Sequence, residues 1–261
     1  MLGAPTDKPL SGDIDGDGKA DIIVWRPATA TWFWLTSSTG YSSSSQGTKQ
    51  WGASNDIPLV GDLDGDGKAD LVVWRPSTGT WLWLTSSTGY DYSGQRALQW
   101  GTAGDIPLLG HFDQDRKADL AVWRGANGTW FWLTSSTSYS YATARARQFG
   151  SGSLGDQPML GDFDGDGESD LTVWRASSGV WFWITSSTRY DYSRMGVKQW
   201  GSRAFGDIPL LADVDGDRLS DLIVWRPAGG MWLSLSSIAS YDSAAQTHRQ
   251  WGSAGDIPVI R

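Results

Sequence analysis

The sequence contains no cysteine and only two histidines, His111 and His248. The first absence excludes a disulfide framework, a thiolate metal site and a cysteine nucleophile. The second excludes a histidine-rich zinc site and a His-Glu-x-x-His metalloprotease helix. No apolar stretch approaches the roughly 18 residues of a membrane span, so no membrane insertion is expected. There is no basic run either, and the formal net charge is −8. An acidic chain of this kind is a poor partner for a phosphate backbone, so nucleic acid is not an expected ligand. The first residues, Met1-Leu2-Gly3-Ala4-Pro5, have neither the basic segment nor the apolar core of a signal peptide. Tryptophan and glycine, by contrast, are abundant, at 18 and 33 of 261 residues.

The abundance has a period. A proline anchor recurs at Pro9, Pro58, Pro107, Pro158 and Pro209, and a partial copy returns as Asp256-Ile257-Pro258-Val259-Ile260. The units are approximately 2–51, 52–100, 101–149, 150–200 and 201–251, with a closing segment 252–261, all in one domain. Each unit holds four short extended runs; in the second they are Pro58–Asp62, Asp70–Arg75, Thr80–Thr85 and Arg96–Trp100. Gly/Asp-rich, Pro-Ser-Thr-Gly and Ser/Thr/Tyr loops separate them, which are strand and hairpin signals. Trp81 and Trp83 point to one face and Leu82 and Leu84 to the other, so both faces must be covered. Four-stranded antiparallel units stacked around an axis satisfy that requirement. The expected fold is all-β, a five-bladed β-propeller of four-stranded antiparallel blades, the alternative being a piece of a longer array.

Between the first two runs lie acids at positions one, three, five and nine, with glycine at position six. They are Asp13, Asp15, Asp17 and Asp21; Asp62, Asp64, Asp66 and Asp70; and Asp162, Asp164, Asp166 and Asp170. Alternate carboxylates with a backbone carbonyl at position seven (Lys19, Lys68, Glu168) form a hard oxygen cage of the kind Ca2+ takes. Without a cation, so many close carboxylates repel strongly. The fifth loop keeps Asp213, Asp215, Asp217 and Asp221, with Leu219 at position seven, but has Arg218 where a left-handed turn favours glycine. A weakened site is expected there. The third reads His111, Asp113, Asp115, Arg116 and Asp119 and is expected to hold no ion, with Arg116 or Lys117 supplying positive charge.

This loop, the following Leu-Val-Val-Trp-Arg-Pro and the Thr-Gly-Thr-Trp turn resemble the FG-GAP, or VCBS, repeat of integrin α-subunit propellers and many bacterial extracellular proteins. The resemblance spans essentially residues 2–260. It implies calcium in the hairpin loop between the first two strands of a blade and a secreted or cell-surface location; it does not imply an enzyme. Two departures stand out: integrin-type rings have seven blades, and the third loop breaks the motif.

Tryptophans recur at the end of the second run and twice in the third, where blade-to-blade packing is the expected role; Ser234 replaces the last of them in the fifth unit. Each second run ends in Trp-Arg, and that arginine is expected to stack on tryptophan or to pair with the aspartate of the next Gly-Asp-Ile-Pro. All eight tyrosines fall in the Ser-Ser-Thr-x-Tyr loops. Tyrosine among small polar residues suits a recognition surface. With the neighbouring Gln-Trp-Gly edge, the candidate ligand-binding residues are Tyr90, Asp91, Tyr92 and Trp100, and Tyr190, Asp191, Tyr192 and Trp200. Sugars offer hydroxyls for the aspartates and an apolar face for the rings. No pair of acids in contrasting environments marks a hydrolytic centre, and neither histidine sits in a nucleophile motif. Two functions follow: a multivalent carbohydrate-binding, lectin-like module with glycan partners, or a non-enzymatic adhesion module that binds a cell-surface protein.

Overall fold

A computed structural model describes residues 3–259; residues 1, 2, 260 and 261, which include the ends of the first unit and of the closing segment, lie outside the described residues. Twenty strands form five separate four-stranded antiparallel sheets, each in simple sequential order. Blade 1 is β1 (Lys8–Gly12), β2 (Asp21–Arg26), β3 (Thr31–Leu35) and β4 (Gly47–Gln50). Blade 2 is β5 (Ile57–Gly61), β6 (Asp70–Arg75), β7 (Thr80–Leu84) and β8 (Arg96–Gln99). Blade 3 is β9 (Ile106–Gly110), β10 (Asp119–Arg124), β11 (Thr129–Leu133) and β12 (Arg145–Gln148). Blade 4 is β13 (Asp156–Gly161), β14 (Asp170–Arg175), β15 (Val180–Ile184) and β16 (Gly196–Gln199). Blade 5 is β17 (Ile208–Ala212), β18 (Asp221–Arg226), β19 (Met231–Leu235) and β20 (Thr247–Gln250). Single-turn 3-10 segments occupy the loops, and among the described residues there is no longer helix. The protein is an all-β, five-bladed β-propeller.

The first strands touch in succession, β1 with β5, β5 with β9, β9 with β13 and β13 with β17. The core is divided into four apolar layers, one between each pair of consecutive blades. Trp25 and Trp32 of blade 1 pack on Leu71, Val73 and Leu84 of blade 2, and Trp74, Trp81 and Trp83 of blade 2 pack on Leu120 and Val122 of blade 3. Blades 3 and 4, and blades 4 and 5, repeat the arrangement. The two-residue strand period decides it: tryptophans on one face of a blade meet aliphatic side chains on the opposite face of the next. Burying one indole removes about 200 Å² of ring from water, and nine of these tryptophans are fully buried.

Two indoles share one acceptor. Trp74 and Trp81 Nε1 both donate to the Trp100 carbonyl (3.3 and 2.9 Å), and Trp123 and Trp130 both donate to the Phe149 carbonyl (3.0 Å each). A carbonyl has two lone pairs, so backbone alone meets the need. Phenylalanine therefore serves where the other units carry tryptophan.

The strand-ending arginines correct the sequence expectation. Each pairs with the aspartate that precedes the first strand of its own blade, as in Arg124 Nε and Nη2 to Asp105 (both 2.8 Å). The same clamp joins Arg26–Asp7, Arg75–Asp56, Arg175–Asp156 and Arg226–Asp207. The second strand runs antiparallel to the first, so its end returns to that strand's beginning: Ile106 lies opposite Trp123. The guanidinium faces are covered by phenylalanines rather than tryptophans, Phe33, Phe131, Phe182 and Phe205.

The seam between blades 5 and 1 is unlike the other four. At each of those, a backbone N–H of one blade's acidic loop donates to the first-position carbonyl of the preceding one: Ala69 to Asp13, Ala118 to Asp62, Ser169 to His111 and Ser220 to Asp162, at 2.5–2.6 Å. Among the described residues no such bond joins Ala20 to Asp213. Ile22 is 47% exposed where its equivalents Leu71, Leu120, Leu171 and Leu222 are fully buried, and Trp251 is 72% exposed where Trp51 is buried. Between these blades lies a cleft of about 510 Å³ whose walls include Pro9, Ile22, Trp225 and Trp232, together with the closing residues Asp256–Val259. The first strand of blade 1 is β1, paired with β2.

Candidate metal loops and interblade clefts

The acidic loops join the first and second strands of every blade. In blade 2, Asp62 accepts the Gly65 N–H (2.6 Å) and the Gly67 N–H (2.8 Å), one on each oxygen. Asp66 Oδ1 accepts the Lys68 N–H at 2.9 Å. Those bonds wrap the backbone around the first carboxylate and turn the next two toward the same space. The Asp13, Asp15, Asp17 oxygens lie within 4.8 Å of one another, as do those of Asp62, Asp64, Asp66 and of Asp162, Asp164, Asp166. The glycine at position six has a positive φ in all three (Gly18 +83°, Gly67 +83°, Gly167 +81°).

The ninth-position aspartates are buried. Asp70 accepts the Leu63 N–H (2.9 Å) on one oxygen and the Ser86 N–H (2.8 Å) on the other, which ties the loop to the segment after β7. Burial raises its carboxyl to about 7, against those hydrogen bonds. Burial likewise raises Asp170 to about 7 and Asp119 to about 6. Asp21 is held in the same way by Ile14 and Ser37.

The Ser-Ser-Thr motif takes part in these loops, which the sequence reading missed. Ser37 Oγ donates to Asp17 (2.6 Å), Ser86 Oγ to Asp66 (2.8 Å) and Ser186 Oγ to Asp166 (2.7 Å). The following serines, Ser38, Ser87 and Ser187, donate to Asp15, Asp64 and Asp164. The available signal was a Ser-Ser pair repeated at a fixed distance from each acidic loop.

The two divergent loops keep the backbone. Arg116 and Arg218 take φ of +65° and +73°. Asp213 accepts the Gly216 and Arg218 N–H groups (2.6 and 2.9 Å), as a first-position carboxylate does elsewhere. The oxygens of Asp213, Asp215 and Asp221 are grouped, with Asp217 bonded to the Leu219 N–H at 2.8 Å. In the third loop Asp113, Asp115 and Asp119 are grouped, but His111 Nδ1 donates to the Lys117 carbonyl at 3.0 Å. That carbonyl is the position-seven oxygen, so the histidine occupies a donor that a cation would use. The donor set of the intact loops, carboxylates and carbonyls only, suits a hard cation such as Ca2+.

The tyrosine motif divides into two populations. Tyr90 is buried, with its hydroxyl donating to the Ala69 carbonyl (2.8 Å) and its ring edge-on to Trp34 of the preceding blade at 5.7 Å. Tyr190 does the same with Ser169 (3.0 Å) and Trp132 (5.6 Å). Tyr92 and Tyr192 are 53% and 47% exposed, beneath Lys49 (3.7 Å) and Arg147 (4.3 Å). Asp91 and Asp191 each accept a serine N–H two residues on, at 2.9 Å. Trp200 Nε1 donates to Gln246 of the next blade (2.8 Å), whereas Trp100 Nε1 has no partner. The eight candidates therefore do not converge on one surface.

Two clefts open where consecutive blades meet near these tyrosines. The one between blades 2 and 3 measures about 690 Å³ and includes Trp83, Arg96, Lys117 and Tyr139 in its walls. The one between blades 3 and 4 measures about 470 Å³ and includes Trp132, Arg145 and Tyr190. At the other two zipped seams the third-run tryptophan lies over a glycine: a Cβ at Gly47 would fall 2.0 Å from Trp34, and one at Gly196 would fall 1.9 Å from Trp183. Arg96 and Arg145 stand at those positions in the cleft-bearing seams, opposite Trp83 and Trp132.

The family model of the FG-GAP-like repeat matches residues 13–73 and 111–173, which take in the first four acidic loops. The chain is a five-bladed propeller that carries FG-GAP-like repeats. No curated protein matches it in sequence. Among solved structures it is similar to a lectin from Agrocybe aegerita, described as recognising non-reducing terminal N-acetylglucosamine. Identity there is 15% and the TM-score 0.61, over 90% of this chain and 64% of the lectin's length. It is also similar to virginiamycin B lyase from Staphylococcus aureus, at 12% identity and a TM-score of 0.56, over 98% of this chain and 73% of that one. AztD from Citrobacter koseri follows at 13% identity and 0.50, over 95% and 73%. At such identities the likeness is one of fold alone.

Proposed function

We propose that this chain is an extracellular, calcium-bearing, non-enzymatic propeller that binds glycans in the clefts between its blades. The observation that carries this reading is the pair of clefts at the 2/3 and 3/4 seams. Each has a tryptophan and a tyrosine packed edge to face, Trp83–Tyr139 at 5.8 Å and Trp132–Tyr190 at 5.6 Å, beside serine and arginine side chains. Aromatic carbon offers a surface to the C–H face of a sugar, and the polar groups meet its hydroxyls. The acidic loops hold the cleft walls, because Ser87 and Ser186 both line clefts and bond Asp64 and Asp166. Calcium would thus act on binding through rigidity rather than by touching the sugar. Similarity to a lectin propeller supports the reading. So does repetition, since weak repeated sites gain avidity on a glycan surface.

A glycan array followed by calorimetry tests it. Arg96 and Arg145 are exposed cleft residues on the edge strands β8 and β12, opposite Trp83 and Trp132. The variant Arg96→Gly/Arg145→Gly gives both seams the glycine over which the third-run tryptophans of the closed seams lie, closes both clefts, and is expected to abolish binding. Silence across the array refutes the glycan reading; undiminished binding by the closed variant refutes the location.

A further inference from the structure

The repeat makes the five seams comparable position by position, and one of them departs in charge. Arg147 at the 3/4 cleft corresponds to Leu98 at the 2/3 cleft, Arg189 to Ser138, and Glu168 to Lys117. Arg145, Arg147 and Arg189 therefore meet in one cavity against a single carboxylate, Glu168, in a protein of net charge −8. Three cations held together in an acidic chain are not explained by solubility.

Nor are they satisfied internally. The five ion pairs found among the described residues use other arginines. Among the described residues the side chains of Arg145 and Arg189 make no hydrogen bond or ion pair. Arg147 is fixed by its Nη2, which donates to the Tyr190 carbonyl, and by the Tyr192 ring beneath it; its Nε has no partner. Arg189 takes a left-handed φ of +57°, where other units place glycine or serine. The apolar side of the cavity is Phe112 stacked on Trp132 at 4.9 Å and 19°.

We propose that the 3/4 cleft is a site for a carboxylated sugar, a uronic acid-type residue, held by arginine against the Phe112–Trp132 wall. This rests on the glycan reading above and gives it a ligand class at one seam. A guanidinium presents parallel N–H donors that match a carboxylate's two oxygens. The ring carbons of the sugar face the aromatic wall, and Glu168 and Ser186 accept from its hydroxyls. A volume of about 470 Å³ accommodates one or two sugar rings.

The test uses the full chain in saturating calcium and four probes: D-glucuronate, D-glucose, N-acetylglucosamine 6-sulfate and a glucuronate-terminated oligosaccharide. The matched variant is Arg147→Leu/Arg189→Ser, which installs the residues of the 2/3 seam and keeps the native melting temperature if the fold is intact. The expected result is one site per chain for the two glucuronate probes, with at least tenfold preference over glucose. That affinity should fall as NaCl is raised, and at least tenfold in the variant. Neutral-sugar binding sensitive to Arg96→Gly, without an acidic preference, leaves the glycan reading standing and overturns this one. So does glucuronate binding that the variant retains. A sulfated probe that binds more tightly than glucuronate overturns the carboxylate assignment. Silence for every probe overturns this reading, and silence across the glycan array as well overturns both.

Discussion

Removing divalent cation is the perturbation with the largest expected effect. In each intact loop three carboxylates hold oxygens within 4.8 Å. At that separation each pair of unit charges repels by about 0.9 kcal/mol in bulk water and by about 3.5 kcal/mol at an effective dielectric near 20. With three pairs, a loop therefore carries about 3 to 10 kcal/mol of repulsion, which the Gly and Ser donors offset only in part. On the proposed reading, calcium binds the folded loop and not the extended chain. At a free concentration of about 100 times Kd it adds about 2.7 kcal/mol per site by mass action. For a chain of this size about 1 kcal/mol moves Tm by about 2–4 °C, so each filled loop is worth about 5–11 °C. The assay is a thermal melt in EGTA, then with excess calcium, then with excess magnesium. Tm should drop in EGTA and recover with calcium but not with magnesium, which demands a tighter octahedron. Asp64→Ala or Asp66→Ala should remove one increment, and Asp115→Ala much less, because His111 already holds the third loop's carbonyl. An unchanged Tm in EGTA would show that the loops are stable without a cation and refute the reasoning.

Asp105→Ala removes an acceptor that serves Arg124 and the Thr102 N–H (2.9 Å). Breaking a buried pair costs about 3–5 kcal/mol; since Arg124 is partly exposed, the expected loss is about 2 kcal/mol, read by urea denaturation, and less than 0.5 kcal/mol would refute the clamp. The pH dependence of the chelated protein has a defined sign. Asp70, Asp119 and Asp170 are raised by burial to about 7, 6 and 7, so the folded state keeps protons that the unfolded chain releases near pH 4. Stability should fall as pH rises from about 4 to about 7 in EGTA, and calcium should flatten or reverse that slope; a rise across the window in EGTA would contradict it. Finally, His111→Asp/Arg116→Gly frees the Lys117 carbonyl and restores glycine at a φ of +65°, and calorimetry should count one more calcium per chain than in the parent.

Strands, blades and tryptophan packing could be read from the sequence because all three follow from a two-residue period repeated five times. The second blade's strands, Ile57–Gly61, Asp70–Arg75, Thr80–Leu84 and Arg96–Gln99, fall within one residue of the runs read from its sequence. The acidic positions were legible for the same reason: their spacing repeats. The arginine pairing failed because the repeat offers two aspartates, one before and one after, and only the antiparallel return of β2 along β1 selects the first. The division of the tyrosines was not legible, for a backbone reason. Tyr41, Tyr90, Tyr139, Tyr190 and Tyr241 all sit at φ of +57° to +59°; in units 2 to 5 this left-handed turn sends the first tyrosine inward to the preceding blade, while Tyr41, at the unzipped seam, stays 44% exposed. The second, two residues on, remains outside. Composition makes the two look alike, and nothing short of the turn geometry separates them.

The same comparison explains why a repetitive ring need not be repetitive in its surfaces. The third-run tryptophan needs somewhere to lie. Opposite Gly47 and Gly196 it rests on the neighbouring strand, at a distance no Cβ would tolerate. Opposite Arg96 and Arg145 that resting place is taken, and the seam bears a cleft with a guanidinium in its wall. In the fifth unit the tryptophan is itself replaced, by Ser234 opposite Thr247. That seam is where Ile22, Tyr41 and Trp251 stand exposed. One pair of facing positions, on the third and fourth strands, thus distinguishes a closed seam, a charged cleft and an unzipped edge. The acidic loops and the Asp–Arg clamps are common to all five blades. Selection on that facing pair can therefore alter what a seam binds while the elements that hold the ring together stay fixed.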